Sequence, residues 1–362
     1  MTSETHVFVI AEAGVNHNGD AALAPALVEA AARAGADAVK FQSFRAESLV
    51  ARKAPMADYQ RRNTGTDESQ FDMLRRLELD AAAHRLLAAC CARQGIEFMS
   101  TPFDLDNLDF LVREMHVARL KLPSGELTNA PLLLAAARSG RPLIVSTGMA
   151  TLAEVEAALG VIAWGLLDEP QGRPGRGAFH AAYCSGEGQR RLRECVTLLH
   201  CTTEYPAPYK EVNLRAMHTL GAAFGLPVGF SDHTAGIAIP IAAAALGAVV
   251  IEKHFTLDRS LPGPDHKASL EPDELAAMVR GIRETAQALG AGRKIPAPSE
   301  AANAAVARKS LVAARTIAAG EPYSTENLAV RRPGGGISPI EYFDWLGRTA
   351  ARAYAAGEPI ER

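Results

Sequence analysis

The stretch VVIEKHFTL, from Val249 to Leu257, begins as a buried β-strand and then changes character. Its apolar run is followed directly by Glu252, Lys253 and His254. Polar groups are costly to bury unless they are paired or hydrogen-bonded, so a strand that ends in a cation and an imidazole needs an explanation. The same pattern recurs along the chain, and the recurrence supplies that explanation.

Eight short apolar runs of this kind follow one another, and Ala- and Leu-rich helical segments separate most of them. Continuous apolar strands that alternate with helices are typical of a parallel sheet. Eight such units fit a (β/α)8 TIM barrel, whose usual length is about 250 residues. An open doubly wound sheet is the alternative, and the lack of a GxGxxG motif after the first run weakens it. The runs are VFVIAEAG, AVKFQSF, EFMSTPF, LKLPSGE, LIVSTGM, VTLLHCTTEYP, VGFSDHT and VVIEKHF.

Each run also ends in polar or charged side chains that can bind ligands or catalyse reactions. In a barrel the C-terminal ends of all strands meet at one mouth, where the active site lies. A single polar residue at a strand end commonly faces water or caps a helix, but repetition at eight ends indicates a shared site. We therefore expect Lys253 and His254 to enter that mouth. In chain order the strand-end residues are Glu12; Lys40 and Gln42; Ser100 and Thr101; Lys121, Ser124 and Glu126; Ser146 and Thr147; His200, Thr202 and Thr203; Ser231, Asp232 and His233; Lys253 and His254.

Composition and charge argue against several classes of protein. The formal net charge is -3, so the chain offers no basic field for nucleic acid or an acidic membrane surface. The N-terminus lacks the pattern of a signal peptide, and the apolar stretch at 237–251 is too short and too interrupted to span a membrane. The 5 cysteines are scattered without a CxxC motif, which is typical of reduced thiols. These features predict a cytoplasmic protein with no nucleic-acid or membrane partner.

Two stretches interrupt the regular order of strands and helices. Residues 45–80 are long and charged and follow the second strand, so we expect them on the mouth side, as a lid. Residues 165–194 contain GRPGRG and GEGQRR and precede the sixth strand. We expect this second stretch to be a mobile excursion on the opposite face, without a role in function.

The amino-acid composition and the predicted secondary structure change near residue 290. We predict a barrel domain at 1–289, a Gly-, Pro- and Ala-rich linker at 290–308 and a small β-rich domain at 309–362. The strand-like pieces of the small domain are KSLVAA, ENLAVRRP and RTAARAY, with VRRPGGG as a loop. Domains of this size are marginally stable alone, so we expect it to pack against another surface.

The strand ends supply two candidate binding sites. His233 and His254 come from neighbouring strands, and two imidazoles at such positions can ligate one metal ion, leaving open positions for substrate oxygens. Lys40 and Lys121 lie among hydroxyl-bearing residues and predict a floor for a small dianion such as a phosphate ester. Ion pairing with nearby glutamates is the alternative use of the lysines. Glu126 is a candidate general base for water.

The ordered motifs of the chain resemble those of the sialic acid synthases, from about Val7 to the C-terminus. These enzymes condense phosphoenolpyruvate with an N-acetylated amino sugar to make nine-carbon nonulosonic acids. The tail, from about Lys309, resembles their antifreeze-like (SAF, β-clip) domain, which covers the barrel mouth of the other subunit in a dimer. The motifs are IAEAGVNHNGD, VKFQS, STPFD, LPSGE, VSTGM, LLHCTTEYPAP, SDHT, IEKHFTLD, PGPDHKASLEP and VRRPGGGIS.

The resemblance implies a domain-swapped homodimer and a role for each site residue. It implies a divalent metal ion, manganese or magnesium, on His233 and His254. The implied catalytic residues are Glu12, Glu126 and Asp265. The implied phosphoenolpyruvate ligands are Lys40, Thr101, Lys121, Ser124, Ser146 and Ser231. The implied sugar ligands are Gln42, Asn63, Thr203, Tyr205 and Arg332, with Arg332 supplied by the partner.

The motifs NTGTDESQ, SGELTN and PDHKASLEP look closer to the legionaminate branch, as does the pair Thr203 and Glu204. The resemblance therefore implies a transferase that makes N,N'-diacetyllegionaminate from 2,4-diacetamido-2,4,6-trideoxymannose. Alternatives within the family are N-acetylneuraminate synthesis from N-acetylmannosamine, or another nonulosonate. Two alternatives lie outside it: a metal-dependent barrel hydrolase, which Lys40 and Lys121 argue against, and a non-catalytic glycan-binding protein, which leaves the barrel mouth unexplained.

Overall fold

The computed structural model describes residues 6–20, 22–65, 68–167 and 172–362. The chain divides into two compact units, Met1–Gly290 and Ala291–Arg362. Among the described residues, no helix is both long and apolar enough to cross a bilayer.

Eight parallel strands form the centre of the N-terminal unit. Their order is β3-β2-β1-β8-β7-β6-β5-β4, and β1 pairs with both β2 and β8. First and last strands are therefore neighbours, as in a closed barrel and unlike a doubly wound sheet. The predicted TIM barrel is confirmed, and each predicted run contains one strand. The strands are β1 (Phe8–Gly14), β2 (Ala38–Ser43), β3 (Glu97–Pro102), β4 (Leu120–Leu122), β5 (Leu143–Ser146), β6 (Val196–Cys201), β7 (Val228–Asp232) and β8 (Val250–His254).

Most helices of the N-terminal unit surround the strands and bury an apolar stripe against their outer faces. In α1, Leu27, Val28 and Ala31 recur at helical spacing and are fully buried. The barrel helices are α1 (Leu23–Arg33), α2 (Ala46–Leu49), α3 (Asp58–Thr64), α4 (Gln70–Arg76), α5 (Ala81–Gln94), α6 (Leu105–Asp109), α7 (Ala130–Arg138), α8 (Leu152–Leu166), α9 (Arg176–Cys184), α10 (Gly186–Cys195), α11 (Ala216–Phe224), α12 (Ala238–Ala245) and α13 (Pro272–Leu289).

A second apolar cluster closes the inside of the barrel. It takes one side chain from each of six strands: Ile10, Ala38, Met99, Ile144, Leu199 and Val250. Side chains alternate between the two faces of a strand, so the residue two positions later on each strand also points inward. The inward layer above this cluster therefore lies towards the mouth.

The two interrupting stretches have defined structure where they are described. Residues 45–80 contain α2, α3 and α4 and contribute to the lining of the mouth cavity, so the predicted position on the mouth side is confirmed. The stretch 165–194 was predicted to be a mobile excursion, and that prediction is wrong for its described part. Helices α9 and α10 pack on α8 there, and the ring of Phe179 meets that of Trp164 at 6.0 Å. Residues 168–171 of this stretch lie outside the described residues.

The C-terminal unit contains a short antiparallel pair of strands, β9 (Ser310–Ala313) and β10 (Leu328–Arg331), and two short helices, α14 (Ala301–Ala307) and α15 (Tyr342–Trp345). It has its own apolar core, which includes Tyr323, Trp345 and Tyr354. The predicted strand in RTAARAY does not form. That segment makes only isolated bridges, including Ile317 to Tyr354.

Candidate active site at the barrel mouth

A cavity of about 330 Å³ lies at the C-terminal ends of the strands. The predicted catalytic residues, the phosphoenolpyruvate ligands, both histidines and three of the sugar ligands line it together: Glu12, Glu126, Asp265, Lys40, Thr101, Lys121, Ser124, Ser146, Ser231, His233, His254, Gln42, Thr203 and Tyr205. Residues separated by more than 200 positions in the chain therefore meet at one site.

Two predicted sugar ligands are not among the residues that line this cavity. Asn63 lies on α3, and its side-chain amide donates to the carbonyl of Pro264 at 2.7 Å. Arg332 follows β10 in the C-terminal unit. Their roles as sugar ligands stay predictions.

The cavity floor holds two lysines and two glutamates that alternate in charge. The Lys40 Nζ atom lies 2.6 Å from Glu12 Oε2 and 3.5 Å from Glu252 Oε2. The Lys121 Nζ atom lies 3.4 Å from the other oxygen of Glu252. All four side chains are buried. The floor is thus an ion-paired network, and the two lysines on which the predicted anion-binding floor rests also make the ion pairs that were the alternative use.

Burial and neighbouring charges give the two glutamates different pKa values. Burial raises the pKa of Glu12 to about 7, against the opposing attraction of Lys40. Burial also acts to raise the pKa of Glu252, but Lys121 and Lys40 outweigh it and hold that pKa at about 2. Burial lowers the pKa of Lys121 despite Glu252 nearby. Near neutral pH, Glu252 therefore stays ionised while Glu12 can hold or release a proton, so the floor can adjust its charge when an anion binds.

Glu252 was not among the predicted site residues, yet it lines the cavity. Its Oε1 atom accepts a hydrogen bond from the Ser231 hydroxyl at 2.8 Å, and it contacts both lysines. The signal was present in the strand itself: residues two apart share a face, so if His254 faces the mouth, Glu252 does too. Tyr59 and Cys201 also line the cavity without having been predicted.

The same alternation turns several strand-end residues away from the cavity. Lys253 was expected at the mouth, and this expectation is wrong: its fully buried ammonium group lies 2.6 Å from Asp232 and also contacts the carbonyl of Thr234. His200 is also turned away, and its Nε2–H donates to the carbonyl of Val212 at 2.7 Å. Others absent from the cavity lining are Ser100, Thr147 and Thr202.

The imidazoles of His233 and His254 are neighbours, with ring centres 5.7 Å apart. The Nδ1 atom of His233 lies 2.6 Å from the carbonyl of Thr202, which can only accept, so Nδ1 carries the proton and Nε2 carries the lone pair. The Ser231 hydroxyl lies 3.4 Å from this Nε2 atom but donates its proton to Glu252. The Nδ1 atom of His254 is buried and has no hydrogen-bond partner among the described residues. Burial lowers the pKa of both histidines, which keeps them neutral.

Neutral imidazoles with free lone pairs fit a divalent transition-metal ion. Among the described residues, no group of three or more His, Cys, Asp and Glu side chains is arranged to hold a metal ion. A metal ion held here would therefore take two ligands from His233 and His254 and the remaining ones from substrate or water, which is the open arrangement that Lewis-acid chemistry requires.

One wall of the cavity is rich in hydroxyl groups without internal partners. The hydroxyls of Ser146 and Thr203 are buried and have no hydrogen-bond partner in the described part of the chain. Gly148 lies beside them, and a Cβ atom there would come within 2.5 Å of the Thr203 hydroxyl and 2.8 Å of that of Ser124. Buried hydroxyls rarely stay unpaired, so this wall is suited to a ligand with several acceptors.

The remaining predicted residues line other parts of the same cavity. The Tyr205 ring lies 4.2 Å from that of His233 between centres. Gln42 donates to Glu12 at 3.3 Å, and Glu126 accepts from the amide of Asn129 at 2.6 Å. Burial raises the pKa of Asp265 to about 6. The mouth thus combines an anion-binding floor, a pair of free imidazoles and carboxyl groups able to move protons near neutral pH.

Residues 27–294 match the NeuB family, and residues 308–361 match the SAF domain. The chain is 49% identical to the N,N'-diacetyllegionaminic acid synthase of Campylobacter jejuni, over 97% of this chain and 98% of that protein. It is 45% identical to the enzyme of the same name from Legionella pneumophila, over 98% and 93%. Among solved structures, the N-acetylneuraminic acid synthetase of Leptospira borgpetersenii has a TM-score of 0.66 at 34% identity, covering 83% of this chain and 90% of that one. The mouth residues therefore lie in a synthase barrel followed by an SAF domain, and this chain belongs to the NeuB family.

Proposed function

We propose that this protein is an N,N'-diacetyllegionaminate synthase, a transferase that condenses phosphoenolpyruvate with 2,4-diacetamido-2,4,6-trideoxymannose and releases phosphate. The observation that carries the proposal is the single cavity in which Lys40 and Lys121 lie together with His233 and His254. The identities of 49% and 45% to two such synthases favour legionaminate over neuraminate, since the neuraminate enzyme above is only 34% identical.

The floor fits the phosphate and carboxylate groups of phosphoenolpyruvate. Lys40 and Lys121 provide charge-assisted contacts, and the unpaired hydroxyl of Ser146 provides another donor. Binding a dianion next to Glu12 favours the protonated form of that carboxyl, whose pKa of about 7 makes this change easy near neutral pH. With Glu12 protonated, the floor presents two ammonium groups against one ionised carboxylate, so it becomes net positive towards the bound anion.

The sugar aldehyde is placed in the cavity beside the imidazoles of His233 and His254, where the Tyr205 ring packs on His233. A divalent metal ion on His233 and His254, manganese or magnesium, would supply Lewis-acid polarisation of the aldehyde. The C3 carbon of phosphoenolpyruvate then forms a bond to the aldehyde carbon, and the aldehyde oxygen gains a proton. Water adds to the resulting oxocarbenium carbon and gives up a proton to Glu126, the general base, which balances the proton gained by the aldehyde oxygen. The C–O bond to phosphate breaks last, so that one water is consumed and one phosphate leaves.

The test is phosphate release by purified protein with phosphoenolpyruvate, manganese and a panel of sugars in ¹⁸O-labelled water. We expect release only when a sugar is present, fastest with the 2,4-diacetamido sugar, and with no label in the phosphate because the C–O bond breaks. Release without sugar would instead indicate the hydrolase alternative. Faster turnover with N-acetylmannosamine would indicate the neuraminate alternative, and no release with any sugar would leave only the glycan-binding alternative.

We also propose a swapped homodimer in which Arg332 serves the partner's barrel. A His254→Ala chain and an Arg332→Ala chain should each have little activity alone. When the two are co-expressed with different affinity tags, one site of each heterodimer combines an intact barrel with an intact tail, and turnover should return in part. Recovery no greater than the mean of the two single variants, in verified heterodimers, would exclude the swapped arrangement.

A further inference from the structure

The helix α3 forms part of the roof of the mouth cavity and contacts two distant loops. On its exposed side the guanidinium of Arg62 lies 2.5 Å from the carboxylate of Glu204, in the loop that follows β6. At its C-terminal end, Asn63 exchanges contacts with the loop that follows β8: its amide donates to Pro264, and its carbonyl accepts from Lys267 at 2.8 Å. Three separate segments of the chain therefore meet along this helix.

Beneath these polar contacts lies an aromatic pair. The ring of Tyr59, on α3, lies 4.9 Å from the ring of Tyr205, between centres. The ring of Tyr205 in turn contacts His233 and lies 5.5 Å from His254. Helix α3 thus places Tyr59 against Tyr205, which in turn packs on the imidazoles, in the region where the proposed function places the sugar.

The floor lies deep in the cavity that α3 helps to cover. The floor side chains of Lys40, Lys121 and Ser146 are at most 3% exposed. Elements that open for a ligand come from the less stable parts of a structure, with few apolar contacts and exposed polar ones. The short helix α3 has this character, because Gln60 is its one buried side chain among those described.

We propose that the Arg62–Glu204 ion pair is a latch that holds α3 closed over the sugar subsite, so that both residues position Tyr59 and Tyr205 for the sugar substrate. Neither residue touches the floor, and neither lines the cavity. The identity of the substrate in this proposal rests on the proposed function, whereas the contact between Arg62 and Glu204 does not. It predicts that breaking the pair weakens sugar binding and leaves the binding of phosphoenolpyruvate nearly unchanged.

The experiment is a charge exchange across the latch. Arg62→Glu and Glu204→Arg should each raise the KM for the sugar by about three- to tenfold, since an exposed pair is lost and a repulsion replaces it. The KM for phosphoenolpyruvate should change by less than about twofold. The double variant Arg62→Glu/Glu204→Arg restores an attractive pair and should recover most of the loss. High salt should reduce the KM increases of the two single variants and the recovery in the double variant.

A matched control lies one residue away on the same helix. Arg61 pairs with Asp58 at 2.5 Å, within α3, so Arg61→Glu removes a similar exposed pair that does not bridge to another loop. It should leave the KM for the sugar unchanged. The latch would be overturned if the free-energy losses in sugar binding of the two single variants simply added in the double variant. It would also be overturned if Arg61→Glu raised the KM for the sugar as much as Arg62→Glu does.

Hydrogen exchange of residues 57–65 provides a readout that does not depend on turnover. Exchange should be faster in both single variants than in the wild type and should return towards it in the double variant. If the wild-type protein condenses no sugar, the proposed function fails, and exchange still decides the latch. Unchanged exchange in both single variants would overturn it.

Discussion

Replacing His254 with alanine is expected to lower turnover by about 10³-fold, even at saturating manganese. Lewis-acid assistance contributes several kcal/mol to the stabilisation of a transition state, and about 1.4 kcal/mol corresponds to a tenfold change in rate. Only two protein side chains are proposed to hold the metal ion, so the loss of one leaves a site with a single imidazole. The same variant should bind Mn²⁺ more weakly, which electron paramagnetic resonance of the bound ion measures independently of activity.

His200 offers a matched control for the loss of an imidazole at a strand end. Its Nε2 atom contacts the carbonyl of Val212, and it does not line the cavity. His200→Ala should therefore keep turnover within about twofold of the wild type and bind Mn²⁺ normally. Near-wild-type turnover and Mn²⁺ affinity in His254→Ala would rule out the proposed metal site.

Replacing Lys253 with methionine is expected to lower the free energy of unfolding by about 3–5 kcal/mol, because the carboxylate of Asp232 would stay buried without its partner. Both side chains of the pair are fully buried. The measurement is the urea midpoint and slope of equilibrium unfolding. A decrease below about 1 kcal/mol would show that water or another cation replaces the ammonium group.

A second variant separates the cost of the unpaired Asp232 carboxylate from the cost of the lost Lys253 packing. In Lys253→Met/Asp232→Asn the buried charge is absent, and the asparagine oxygen can still accept from the backbone N–H of Thr234, as Asp232 does at 3.0 Å. Most of the stability should return. A double variant that is less stable than Lys253→Met would contradict this explanation.

The barrel was predictable from sequence because its signal is local. Each buried parallel strand is a short apolar run, and each run was recognisable without knowledge of its partners. The site was only partly predictable, since consecutive polar residues such as Lys253 and His254 were assigned to the same face. Applying the two-residue period of a strand to positions 252–254 would have placed Glu252 in the cavity and Lys253 outside it.

Other features depend on contacts between distant residues, which composition does not reveal. Helix α10 is rich in Gly, Arg and Glu and was interpreted as an excursion, but Ser185 caps it and Leu192 is buried beneath it. The position of α3 depends on a contact between Arg62 and Glu204, which are 142 residues apart. The packing of α10 through Leu192 and the contact between Arg62 and Glu204 both lack a periodic signal in the sequence.

The alternation along β7 and β8 has a consequence for protein engineering. Ser231, Glu252 and His254 face the reaction chamber, while Asp232 and Lys253, their immediate neighbours, form the buried pair outside it. A library confined to the inward positions would alter the proposed chemistry of the mouth and leave the buried pair, and with it the fold, in place. A library that randomises the whole of either strand would consist mainly of chains that do not fold, and its screen would report stability rather than specificity.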